Sequence, residues 1–302
     1  MSASAKIVKG ILRLQGRLPL RFHYVLADII CWMMTHLLHY RRDTIVTNLA
    51  RSFPKMHPWE IRDLSKEFYR HIGEVIAEAV WMGGCRDLSR LSRQGIIKIT
   101  NPETVQALYD SSPGVMVMAT HCGNWELSMG LVCDTQGSAS SCLSLENIVF
   151  VYKRLSSPMW NEVITSNRTA PFKGEWDGMV DADKALRFSL QKLRAGERKI
   201  YFYISDQCPY VTWKPIGEFL HQRTIATMGP AALACKSGMS VVYQKFNRVE
   251  RGKYEITYIP ICQDASKTTP EAVVRRYYDL LQEEIEQNPA NWLWSHRRWK
   301  RI

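Results

Sequence analysis

The sequence predicts an α/β protein, with a mostly parallel central sheet covered by helices on both faces and a helical region ahead of it. Three observations lead there. Residues 1–92 carry apolar side chains at helical spacing. From residue 95 onward, short β-rich apolar runs alternate with helical stretches, the pattern of strand–helix–strand units. Those runs are continuously apolar, as strands covered on both faces are. The chain divides into an N-terminal helical region, 1–92, and an α/β domain, 93–302, with no flexible linker between them, so the 302 residues form one continuous unit with a sizeable core.

Taken in order, "AKIVKGILRLQGRLPLR" (5–21) mixes Ile, Leu and Val with Lys and Arg at helical spacing. It reads as a basic amphipathic helix, lying on a membrane or packed on the core. "FHYVLADIICWMMTHLLH" (22–39) is about long enough to span a bilayer, but His23, Asp28 and His36 are costly in hydrocarbon. An interfacial or core helix is expected there in place of a span. "HPWEIRDLSKEFYRHIGEVIAEAVWM" (57–82) is a long amphipathic helix that starts at Pro58 and ends at the glycines of "MGGC". Strands are expected at 95–100, 114–120, 147–153, 199–205, 239–246 and 254–260, and helices at 123–133, 157–168, 181–194 and 269–287.

Forty Lys and Arg against 29 Asp and Glu leave a formal charge of +11. That balance favours anionic partners, whether nucleic acid, phospholipid or an acidic carrier protein. Ten Trp and 13 Tyr supply amphipathic rings suited to a membrane–water interface. Neither zinc-finger spacing nor the aromatic–glycine signature of an RNA-binding sheet is present, so nucleic acid is not the expected partner. Charge and tryptophan together favour membrane contact for residues 1–20. The cysteines at 31, 85, 122, 133, 142, 208, 235 and 262 include no Cys-x-x-Cys pair, so free thiols in a reducing compartment are expected.

"MATHCGNWELSMG" (118–130) places His121 and Glu126 just past an apolar strand. In open α/β sheets ligands bind beyond the carboxyl ends of the strands. Across the Gly123-Asn124 turn, Glu126 is expected to fold back onto the imidazole and fix its tautomer, leaving the other nitrogen to take a proton from a substrate hydroxyl. Two plainer readings exist: a structural strand-end histidine, and an acidic residue complementing a helix N-terminus. Cys122 as a nucleophile is disfavoured because adjacent residues of extended chain point apart. There is no G-x-S-x-G elbow, phosphate loop or dinucleotide fingerprint.

"THCGNWEL" resembles the signature block of the bacterial lipid A biosynthesis acyltransferases, the late Kdo-dependent lauroyl/myristoyl transferases. These sit within the glycerolipid acyltransferase superfamily, whose motif is His, four residues, then Asp or Glu. Further blocks are similar in order: "YRRDTIVTNLARSFP" (40–54), "VYKRLSSPMWNEVITSNR" (151–168), "ISDQ" (204–207), "TIATMGPAALACKSGMSVV" (224–242) and "WLWSHRRWK" (292–300). Two departures stand out. Lys153-Arg154 replaces the usual Arg-Pro, and the segment after Gln207 has fewer glycines than usual.

The resemblance implies transfer of a fatty acyl chain from acyl carrier protein to a hydroxyl of a lipid A precursor. The expected location is the cytoplasmic face of the inner membrane, with the protein held at its phospholipid surface peripherally or by its N-terminus. It implies His121 as general base, with Glu126 orienting it. Arg168 would serve the oxyanion or a substrate phosphate, Asp206 would support Arg168 or His121, and Asn124 would shape the pocket. Arg297, Arg298, Lys300 and Arg301 would meet lipid phosphate or carrier acids. No metal or diffusible cofactor is implied, since the carrier's pantetheine arm brings the thioester. An acyltransferase of the same fold with another glycolipid or aminolipid acceptor, and an acyl-thioester hydrolase, are the alternatives.

Overall fold

The computed structural model describes residues 3–133, 142–172, 176, 178–209 and 213–300. Its strands are β1 (Ile97–Ile99), β2 (Val115–Ala119), β3 (Ile148–Tyr152), β4 (Met179–Asp181), β5 (Ile200–Ile204), β6 (Trp213–Phe219), β7 (Gln222–Thr227), β8 (Ser240–Glu250) and β9 (Lys253–Cys262). Seven of them form one sheet in the order β1-β9-β8-β2-β5-β3-β4, and β6 pairs with β7 as a separate hairpin. In the large sheet every neighbouring pair is parallel except β8 with β9. The expected α/β class and mostly parallel sheet are therefore present.

All five residues of β2 are buried, which is why that run reads as continuously apolar. Met116 and Met118 enter one core, while Val115 and Val117 enter the other. The first core is filled by α3 (Arg42–Ser52), much of α4 (Pro58–Gly83), α9 (Gly229–Ser237) and α10 (Pro270–Gln287). Trp81 and Met82 at the end of α4 join the second core, beside α5 (Leu88–Gln94) and α6 (Pro102–Ser111). Thus α4 contributes to both cores, and the helical region packs directly on the α/β domain.

Helix α4 begins as its sequence directs. Pro58 sits in the first turn, and the Glu60 carboxylate accepts the His57 backbone N–H at 2.7 Å. Two further helices, α7 (Pro158–Arg168) and α8 (Ala182–Arg194), fall within a residue of expectation. Residues 123–133 differ. They form a 3₁₀ segment, Trp125–Cys133, in place of an α-helix. Gly130 in its middle weakens an α-helix and packs tightly on Ile97.

The β6–β7 hairpin was not expected either. Its turn residues, Leu220 and His221, both have positive φ without being Gly, Asn or Asp. Burial of Leu220 in the core and its N–H bond to the Gln282 side chain at 3.1 Å offset that strain.

At the N-terminus lie α1 (Ala3–Gly16) and α2 (Leu20–His36). Among the described residues, no helix is long and apolar enough to cross a membrane. Leu20, His23, Ala27 and Met34 bury one side of α2, while Phe22, Val25, Ile29 and Trp32 lie exposed on the other. Ile7, Ile11 and Leu14 make a similar exposed stripe on α1.

Candidate active site

Strand register builds the centre of the site. β2 and β5 are adjacent and parallel, with Ala119 paired to Ile204. Both chains leave the sheet at its carboxyl edge, so two residues further on His121 faces Asp206. The ring Nδ1–H of His121 donates to Oδ1 of Asp206 at 2.6 Å, and the His121 backbone N–H donates to Oδ2 at 2.9 Å. Trp292 adds its indole N–H to Oδ2 at 2.8 Å. The Asp206 side chain is 1% exposed and that of His121 15%, so the acid is sealed while the ring reaches the surface.

Burial alone would push the Asp206 carboxyl up. The imidazole's charge and these hydrogen bonds outweigh it and bring the carboxyl down to about 2. A carboxylate so placed fixes the tautomer with the proton on Nδ1. Nε2 is then an acceptor, and it receives the Gln207 side-chain amide at 3.1 Å. The Trp125 ring stands edge-on to the imidazole at 5.2 Å.

Glu126 was expected to hold the imidazole, and that expectation is corrected. Its carboxylate forms a bidentate pair with Arg168 instead, accepting Nε at 2.7 Å and Nη2 at 2.6 Å. The reason is reach. Asp206 leaves a neighbouring strand already aimed at the ring, whereas Glu126 lies in a 3₁₀ turn that faces the end of α7. Burial pushes the Glu126 carboxyl up, but the Arg168 charge and hydrogen bonds, with His121 behind them, outweigh it and leave it lowered. Glu126 thus remains beside the histidine as an ionised acid paired to a guanidinium.

Asn124, which the resemblance gives a part in shaping the pocket, lies inside the turn. Its side chain is fully buried, its amide N–H donates to Glu78 at 2.6 Å, and its carbonyl accepts the Glu126 backbone N–H at 3.2 Å. It braces the turn and has no face left for a substrate.

Helix α4 supplies residues that the sequence reading missed. His71 and Glu78 are seven apart, hence on one face two turns along. The His71 ring bonds the Gly123 carbonyl at 3.0 Å through Nε2, and Glu78 takes Asn124 together with the hydroxyls of Tyr24 and Tyr254, each at 2.8 Å. Burial lowers His71 to about 4, so its ring is neutral and a donor there. The available signal was two ionisable residues on the apolar face of an amphipathic helix.

Gly123 itself adopts φ +58, and a Cβ there would collide with the Phe246 carbonyl oxygen. Cys122 is buried, and burial pushes its thiol well up, so it has no nucleophilic role. The C-terminal segment closes the site from behind. Asn291 O accepts the Gly123 N–H at 3.1 Å, and His296 Nε2 accepts the Cys208 N–H at 3.2 Å. Arg298, expected to meet anionic partners, is 1% exposed and bonded to Ile225 O and the Tyr278 hydroxyl. Arg297 and Lys300 are exposed, and Arg301 lies outside the described residues.

A tautomer-fixed histidine at the carboxyl edge of a parallel sheet, beside an acid–arginine pair, has the groups to deprotonate a hydroxyl and meet a developing oxyanion. Among known protein families, the bacterial lipid A biosynthesis acyltransferases match residues 3–301, and the chain belongs to that family. It is an acyltransferase of lipid A biosynthesis. No curated protein matches it in sequence.

Proposed function

We propose that the chain moves a fatty acyl group from the thioester of acyl carrier protein to a hydroxyl of a lipid A precursor. The observation that carries this reading is the His121 imidazole, gripped at Nδ1 by Asp206 while Nε2 receives the half-buried Gln207 amide. The acceptor hydroxyl replaces that amide. Nε2 takes its proton as the oxygen attacks the thioester carbonyl, and Asp206 stabilises the imidazolium that forms.

The tetrahedral oxyanion needs a cation or N–H donors close by. Arg168 spends Nε and Nη2 on Glu126, and its remaining Nη1 is the donor we assign to that oxygen. When the intermediate collapses, the C–S bond breaks and the imidazolium returns its proton to the departing thiolate. In this reading Glu126 acts through Arg168, holding the guanidinium at the reacting centre.

The rest of the surface suits the same task. The net charge of +11 favours an acidic carrier and anionic lipid. The exposed stripes of α1 and α2 fit the headgroup layer of the inner membrane on its cytoplasmic face, where the protein would lie peripherally.

Mass spectrometry of lipid A from cells with and without this chain tests the acceptor. Loss of one acyl chain is expected. Unchanged lipid A with some other lipid altered would sink the assignment and favour another glycolipid or aminolipid. Purified protein given acyl carrier thioester and acceptor should yield acylated lipid, and release of free acid alone would favour a hydrolase.

A further inference from the structure

Where α1, α4 and α7 meet, a cavity of about 370 Å³ opens, with Arg13, Arg17, Arg86, Ser166 and Thr169 on its walls. None of His121, Asp206, Glu126 or Arg168 lines it. Among the described residues, Arg13, Arg17 and Arg86 have no carboxylate partner, whereas Arg168, Arg248 and Arg251 are each paired with one. Three guanidinium groups around one hollow with no acid on its walls favour a multiply charged oxyanion.

The walls are held by close packing. Gly16 of α1 and Gly84 after α4 touch backbone to backbone, and a Cβ on either would overlap the other. Gly83 lies against the Asn167 side chain just as closely. Helix C-termini point partial negative charge at their surroundings, which disfavours an anion. Arg90 answers this at α1 by donating to Gly16 O at 2.7 Å and Leu18 O at 2.8 Å. The hydroxyls differ in use. Thr169 donates to Thr165 O, while Ser166 accepts Arg13 Nη2 at 3.1 Å and keeps its own proton for a ligand.

Position narrows the ligand. Arg13 lies about a third of the way round α1 from exposed Ile7, Ile11 and Leu14, and Arg17 follows in the turn just past the helix end. A helix lying with such a stripe among acyl chains carries its flanking arginines at the depth of phosphate groups. We propose that this cavity binds the phosphate of a membrane amphiphile, held by Arg13, Arg17 and Arg86, with Ser166 donating to one of its oxygens. Such a site is read by binding alone, so it stands or falls separately from the acyl-transfer chemistry.

The test is co-sedimentation of the full chain with phosphatidylcholine vesicles carrying either phosphatidic acid or, at matched charge, oleate. Arg13→Ala with Arg86→Ala should weaken binding to the phosphatidic acid vesicles about tenfold, from losing two charge-assisted guanidinium–phosphate contacts, and binding to the oleate vesicles by less than about threefold. The control, Arg187→Ala with Arg194→Ala, removes two exposed α8 cations and should change neither much. Circular dichroism checks that the variants fold. Equal losses on both lipids, equal losses in both double variants, or no loss would each overturn the site. Millimolar inorganic phosphate separates the sources. If it abolishes the difference between wild type and variant, the cavity takes free phosphate; if the difference persists, the phosphate is the membrane-borne one.

Discussion

At Asp206, three N–H groups converge on a sealed carboxylate: the ring and the backbone of His121, the residue that reacts, and the indole of Trp292. Asp206→Asn must set an NH2 group against at least one of those donors. It should cost about 1–3 kcal/mol of stability and roughly two orders of magnitude or more in transfer rate, through loss of imidazolium stabilisation. His121→Ala should lower the rate by roughly two to four orders of magnitude, at a cost of only about 1–2 kcal/mol for leaving Oδ1 unpaired. A transfer assay paired with thermal melting separates the two effects, and a rate within a few-fold of wild type for His121→Ala would remove the proposed base. His71 carries a pH signature. Its ordinary value is 6.5 and burial lowers it to about 4, so between these pH values the unfolded chain binds the proton and the folded one does not. Its contribution to stability is therefore full above about pH 6.5 and is lost as pH falls towards 4. Glu284 has the opposite slope, since burial raises its carboxyl to about 7 and its contribution is lost as pH rises from 4.5 to 7. Comparing urea midpoints of wild type and His71→Gln across pH 4 to 7 cancels Glu284, and the gap between them should shrink towards the acid end.

Among the elements, α4 and the turn after β2 depend on each other. The helix reaches the turn through His71 on Gly123 and Glu78 on Asn124, and Phe246 of β8 closes over Gly123 from the other side. Gly123→Ala combines a left-handed backbone with a collision against a carbonyl that belongs to the sheet. It should destabilise by about 2–4 kcal/mol and lower activity beyond what the remaining folded fraction explains, because His121 sits two residues away. Calorimetry and a transfer assay on the folded fraction would check it; wild-type stability in this variant would show that the turn is looser than described. The elements easiest to foresee were those whose burial leaves a pattern in the residues themselves. β2, buried on both faces, and α4, amphipathic over 26 residues, are both of this kind. The β6–β7 hairpin escaped notice because its turn uses Leu220 and His221 at positive φ, a strain that only the surrounding core makes tolerable.

For the whole molecule, the exposed apolar stripes of α1 and α2 offer the surface by which the protein would meet a bilayer. Ile11→Glu with Val25→Glu places two charges in those stripes without touching a buried residue. Vesicle binding should fall by about tenfold or more with no change in melting temperature, and unchanged binding would turn attention to charge alone. What the sequence by itself determined was the alternation of strand and helix, the continuous apolar strands of a doubly covered sheet, and a histidine stationed where a strand ends. Each is written in neighbouring residues, because helix and strand periods act over a few positions of chain. Only the tertiary structure decided which acid serves that histidine. Glu126 is five residues away along the chain and Asp206 eighty-five, yet parallel pairing of β2 with β5 delivers Asp206 to the ring and leaves Glu126 to Arg168. Strand order and register arise from packing of the whole core, and no local pattern records them.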